Sequence, residues 1–212
     1  MIPNDMRSAP PGEGSRSFPY FFPLVILLIL ALGSAFLLPE AGAQPSGKEG
    51  LSSFDRLAEE ATGLNKRGNY DQAIAILEPH KKDKKNQSPL FFNELGIAYR
   101  NKGDLEKALE AYQRAYALEP QNPEITPVLL NNLGYTYFLK KDYPKAIEQY
   151  EKAITMAPRF KEAHSNLSLA FYQQGRNEEA LREIDVVLKL DPNHEAARKF
   201  RDRIRKKMQE KK

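Results

Sequence analysis

A repeat with a period of 34 residues limits what this chain can fold into more than any other feature. The segments 89–122, 127–160 and 161–194 share it, and each carries a proline at its thirty-second position: Pro120, Pro158 and Pro192. Leu95, Leu133 and Leu167 stand at position 7, Tyr99, Tyr137 and Phe171 at position 11, and Ala108, Ala146 and Ala180 at position 20. Position 8 is small throughout, as Gly96, Gly134 and Ser168. Self-similarity at such a period marks a supersecondary unit that buries its apolar face only by stacking on its neighbours. Turn residues divide each unit independently. Gly103-Asp104 and Gly175-Arg176-Asn177 set a glycine able to take left-handed backbone after one helix and an Asp or Asn suited to capping the next, a task Asn69 and Asp142 share. The prolines then stop each second helix, which they cannot continue.

These residues resemble the tetratricopeptide repeat, whose pattern sets a large residue at position 4, Leu at 7, a small residue at 8, an aromatic at 11, Ala at 20, an aromatic at 24, Ala at 27 and Pro at 32. Position 24 here is Tyr112, Tyr150 and Ile184, and position 27 is Ala115, Ala153 and Val187. The resemblance implies an all-α fold, an α-solenoid of antiparallel helix pairs coiling as a right-handed superhelix. Small residues at 8 and 20 would let paired helices approach, and large ones at 4, 7, 11 and 24 would fill the space between pairs. Residues 54–87 read as a degenerate first repeat: they keep Leu57, Ala61, Leu64, Gly68, Tyr70 and Ala73 but have Glu60 at position 7, His80 at 27 and Lys85 in place of the proline. A terminal unit exposes one face to solvent and so drifts from the pattern. Four extra residues, Pro123–Thr126, break the register after the second repeat and are expected to lengthen the third repeat's first helix, with Pro123 or Pro127 in its first turn.

In residues 195–212, Ala197, Phe200, Ile204 and Met208 recur at helical spacing, which predicts a helix capping the last repeat. That segment holds nine Lys/Arg against three Asp/Glu, whereas residues 44–194 hold 21 against 22. The charges of the tail read as a solvating face. At the other end, Phe18 to Leu38 is almost wholly apolar, follows Arg7 and Arg16, and precedes Ala41-Gly42-Ala43. A hydrophobic run at Leu24–Leu32 followed by small residues predicts a signal peptide over 1–43, with cleavage after Ala43. The alternative is an uncleaved anchor spanning about 20–38. Cleavage would leave the array periplasmic or otherwise extracytoplasmic; an anchor would hold it at the inner membrane, outside the cytoplasm. Residues 44–53 read as a linker.

Catalytic chemistry finds no foothold. The chain has no cysteine, which excludes disulfides, thiolate metal sites and cysteine nucleophiles. His80, His164 and His194 lack a second ligand at metal spacing, and there is no phosphate-binding glycine loop, nucleophile elbow or carboxylate pair. No catalytic residue, metal or cofactor is therefore expected, and the near-neutral body does not suggest a nucleic-acid surface.

What the resemblance implies is protein binding in a concave groove lined by the first helices. Carried onto matching positions, the groove residues are Asn93, Ile97 and Arg100 of the second repeat, with Leu90 and Asn101 beside them. The third repeat supplies Asn131, Tyr135 and Phe138, flanked by Val128 and Leu139; the fourth supplies Ser165, Leu169 and Tyr172, flanked by Glu162 and Gln173. Asn93 and Asn131 would grip a peptide backbone, since an amide both donates and accepts. Tyr135, Phe138 and Tyr172 would form an aromatic wall for apolar side chains. The clamp by which some members hold a terminal carboxylate falls here on Asn93, Ile97, Asn132, Glu162 and Asn166, so its basic half is missing and binding of clamp-recognised chaperones is not expected. The expected function is an exported, non-catalytic scaffold for a peptide or partner helix, supporting envelope complex assembly. The alternative is a membrane-anchored adaptor whose basic tail contacts anionic lipid.

Overall fold

The structure is a computed structural model that describes residues 52–210. The apolar N-terminal segment, with both readings of it and its cleavage site, lies outside the described residues, as do Lys211 and Lys212. Among the described residues the regular elements are all helical. They come in pairs: α1 (Ser53–Lys66) and α2 (Tyr70–Leu77), α3 (Pro89–Lys102) and α4 (Leu105–Leu118), α5 (Thr126–Leu139) and α6 (Tyr143–Met156), α7 (Lys161–Gln173) and α8 (Asn177–Leu190), closed by α9 (Glu195–Gln209). Each helix lies against its pair-mate, α3 also lies against both α1 and α2, and α4 on α5, α6 on α7 and α8 on α9 link the pairs into a stack. No helix among the described residues is long and apolar enough to cross a membrane.

The helix ends follow from the residues that flank them. Ser88 caps α3 by accepting a hydrogen bond from the Phe91 amide at 3.1 Å, with Pro89 in the first turn where its missing N–H costs nothing. The turn inside each pair needs one left-handed residue, and Gly68, Gly103 and Gly175 supply it at φ 78°, 89° and 77°. In the third pair that place falls to Lys141 at φ 62°. The second helices end on residues that the following proline keeps out of the helical region: Glu119, Ala157 and Asp191, with φ of −140°, −133° and −142° and ψ of 68°, 80° and 86°.

The close approach within a pair depends on position 8. A Cβ built on Gly96 would lie 2.6 Å from the Tyr112 ring, and one on Gly134 would lie 2.6 Å from the Tyr150 ring. Both rings are fully buried, and filling these sites contributes about 1.5–3 kcal/mol each on the scale of large apolar side chains. In the last pair position 24 is Ile184, and position 8 carries a side chain, Ser168, whose Oγ donates to the Ala180 carbonyl at 2.6 Å. Size at one position is matched to size at the other. Burial raises both phenols above their ordinary pKa, and their hydroxyls find no partner among the described residues.

Three expectations need correction. The extra residues after the second repeat do not lengthen α5, which has 14 residues like α3. They form a turn instead, because the Asn122 carboxamide accepts from the amides of Glu124 (2.9 Å) and Ile125 (3.3 Å) and so closes the chain before α5 starts. Asn177 is not the cap of α8: Arg176 occupies that place, and Asn177 is a buried first-turn residue. The first pair is shorter than its pattern implies, since α2 has only eight residues and passes into a 3₁₀ turn at Glu78–His80 that holds Pro79. Arg114 of α4 donates to the Lys81 carbonyl at 2.6 Å just beyond that turn.

At the C-terminal end Ala197 and Ile204 of α9 are buried against the fourth pair, and the Phe200 ring meets Tyr172 edge-on at 5.3 Å. His164, at position 4 of the fourth repeat, is buried, with Nδ1 2.7 Å from Glu183 Oε2 and Nε2 3.1 Å from the Pro158 carbonyl. It ties α7 to α8 and to the turn before α7.

Candidate functional site

The first helices α3, α5 and α7 share one face of the stack, and a cavity of about 610 Å³ opens there. Its floor is polar. Arg100 comes from the last turn of α3, Asn131, Asn132 and Tyr135 from the middle of α5, and Ser165 and Asn166 from α7. Lys161 and Glu162 of the first turn of α7 and Asp191 and His194 of the turn before α9 complete the wall. Lys161 and Asp191 pair at 3.0 Å, and the ammonium holds the Asp191 carboxyl below its ordinary pKa. The Ala197 amide donates to His194 Nδ1 at 3.3 Å, which caps α9 and leaves Nε2 as the ring's donor.

Asparagines join one repeat to the next across this floor. Asn132 Nδ2 donates to Asn93 Oδ1 at 2.9 Å, and Asn166 Nδ2 donates to Asn131 Oδ1 at 2.9 Å. Both bonds run from position 6 of one repeat to position 5 of the repeat before it. Where position 6 is Glu94, the partner is Asn65 of α1, whose Nδ2 donates to Glu94 Oε2 at 2.9 Å and to the Glu94 carbonyl at 3.0 Å. Burial raises the Glu94 pKa, against the two amides of Asn65 and Asn93 that hydrogen-bond its carboxylate.

Of the residues expected in the groove, Arg100, Asn131, Tyr135 and Ser165 line this cavity. Leu169 lies beside it in a smaller cavity of about 230 Å³, between α7 and α9, which Ser165 also borders. The other four are placed elsewhere. Asn93 is 7% exposed, and its carboxamide is taken up by Asn132 and Glu94. Ile97 packs on the core shared by the first two pairs. Phe138 meets Tyr143 of α6 at 5.4 Å, and Tyr172 is held under Phe200 and the Lys207 ammonium of α9, the latter 4.0 Å from its ring centre. Phe138 also stacks on Tyr135, with ring centres 6.3 Å apart and planes 6° from parallel, so two of the three expected rings stand together while α9 covers the third, Tyr172. Sequence reasoning met Asn132 and Asn166 only as positions of the absent clamp and did not assign Lys161, Asp191 or His194; the available signal was Asn at position 5 of one repeat (Asn93, Asn131) matched by Asn at position 6 of the next (Asn132, Asn166).

Sequence models of the tetratricopeptide repeat match residues 90–159 and 137–204. The chain belongs to the tetratricopeptide repeat family, and its fold is that of a protein–protein interaction scaffold. A search of curated proteins finds no match. Among solved structures, a chain of the APC/C hetero-tetramer Cut9-Hcn1 superposes with a TM-score of 0.66 at 22% identity, over 71% of this chain. This chain spans only 29% of that one's length. The AMB-1 form of MamA gives 0.62 at 25% identity over 72% of this chain and 87% of its own. The first repeat domain of Spaghetti (RPAP3), bound to the HSP90 peptide SRMEEVD, gives 0.54 at 26% identity over 58% of this chain and 95% of its own.

Proposed function

We propose that this protein is an exported, non-catalytic scaffold that holds an extended segment of a partner protein on the face formed by α3, α5 and α7 and so supports assembly of an envelope complex. The polar cavity on that face carries the reading: it is open, it spans three repeats, and it offers side-chain amides and a tyrosine to a peptide backbone. The RPAP3 domain, which shares the fold, is bound to a peptide. Ile97 and Glu162 stand where a terminal-carboxylate clamp would need Asn and Lys, so the segment held here is an internal one. Export rests on the apolar run before Ala43, and N-terminal sequencing of the mature protein tests it: a chain beginning at Gln44 supports cleavage, and an intact N-terminus in the membrane fraction supports the anchored form.

The groove is tested by placing a photo-crosslinking amino acid at Glu162, exposed on the cavity wall, and in a second protein at Glu148, exposed on α6. Adducts identified by mass spectrometry from position 162 and not from 148 support the groove. Adducts from 148 alone refute it.

A further inference from the structure

Arg100 is the cation of the cavity without a carboxylate. Among the described residues its guanidinium makes one hydrogen bond, from Nη1 to Asn132 Oδ1 at 3.3 Å, and it takes part in no ion pair. It is nevertheless fixed in place, lying 5.2 Å from the Tyr135 ring centre and 6.0 Å from that of Tyr112. Stacking on aromatic faces holds the planar fork without consuming its N–H donors, of which arginine has five. The other cation of the lining, Lys161, is already neutralised by Asp191. Around Arg100 the nearby groups that still have hydrogens to give are the Asn131 carboxamide nitrogen, which has no protein acceptor among the described residues, and the Tyr135 hydroxyl. Glu162 is the unpaired carboxylate of the wall, but it enters from the first turn of α7 rather than from α3 or α5.

Resting on the groove reading, we infer that Arg100 is the anchor of a subsite for an acidic side chain, an Asp or Glu within the partner's extended segment. A carboxylate fits the vacant fork bidentately, and a preoriented arginine loses little freedom on binding it. The same Asn131 nitrogen is then available to a carbonyl of the bound chain. This is not recognition of a chain terminus: a single guanidinium flanked by neutral amides suits one side-chain carboxylate.

The test uses an array of end-blocked nine-residue peptides of varied sequence, probed with the full-length protein. Peptides retained by the wild type should be enriched in Asp or Glu at one position. Changing that residue to Asn or Gln should weaken binding by about tenfold or more in a fluorescence-anisotropy titration, the scale of a hydrogen bond to a charged group. Arg100→Gln should abolish the difference between acid and amide peptides, whereas Arg100→Lys should retain part of it. The peptide-side comparison needs no variant, so it stands even where Arg100→Gln loosens the contact with Tyr112. Retained peptides without acidic preference, or binding that requires a free C-terminus, would overturn the subsite while leaving the groove. No peptide retained at all, or retention indifferent to Asn131→Ala and Ser165→Tyr, would overturn both.

Discussion

Gly134→Ala tests the claim that position 8 is small because position 24 is a tyrosine. The added methyl would sit 2.6 Å from Tyr150 Cε1, 2.7 Å from Cδ1 and 3.1 Å from the Ala146 carbonyl oxygen. The ring is fully buried and has no free direction in which to retreat. Overfilling a close-fitted site costs about 1–3 kcal/mol, and the better helix propensity of alanine returns about 1 kcal/mol, so the net loss should lie at about 0–2 kcal/mol. Pairing it with Tyr150→Ile, which copies the Ser168–Ile184 combination of the fourth repeat, should relieve most of the clash. The Ala146 carbonyl contact would remain, so relief is partial. The assay is urea unfolding followed by far-ultraviolet circular dichroism, read as a double-mutant cycle with unchanged m-values. A stabilising Gly134→Ala, or a cycle with no coupling between 134 and 150, would refute the reasoning.

Three further outcomes are expected. Lys141→Gly should stabilise the fold by about 1 kcal/mol, since it removes a side chain from left-handed backbone, and thermal melting should show it. Burial lifts the Glu94 carboxyl above its ordinary value of 4.5, so folding favours its neutral form; its contribution is full below 4.5 and is lost as pH rises through the raised value. The stability of the wild type relative to Glu94→Gln should therefore fall with rising pH in that window, and a flat difference would contradict the burial argument. Tyr112→Phe should cost less than about 1 kcal/mol, because it deletes a buried hydroxyl that has no partner; a large loss on melting would mean the hydroxyl is hydrogen-bonded.

The stacked helix pairs were legible because their signals are local. A glycine at the inner turn and a proline after the second helix act on the backbone within a residue or two, and the prolines at 120, 158 and 192 force the non-helical backbone observed just before each. The insertion misled because a proline near a helix start is compatible with both a longer helix and a turn; the Asn122 carboxamide decided between them. Pro79 was readable as a helix stop but was masked by the register of the repeat. The site was less legible than the fold for a different reason. Position numbers assign a side chain to a face, but whether that face stays open depends on what the next element brings, and α9 brought Phe200 and Lys207 onto Tyr172. Likewise Asn93 and Asn132 are 39 residues apart, and no local rule announces that they satisfy each other.

The asparagine bonds between successive first helices have a mechanical consequence. They join α3 to α5 and α5 to α7 on the face that carries the cavity, so they lengthen or shorten whenever neighbouring repeats tilt on one another. Their 2.9 Å length makes them short, directional springs in parallel with the apolar contacts behind them. A bound chain that draws on the Asn131 carboxamide oxygen or the Asn132 amide nitrogen competes with those springs, so occupancy and the spacing of the repeats are reciprocally linked. A stiffer join between repeats would then weaken a ligand that must break it, and a bound ligand would loosen that join.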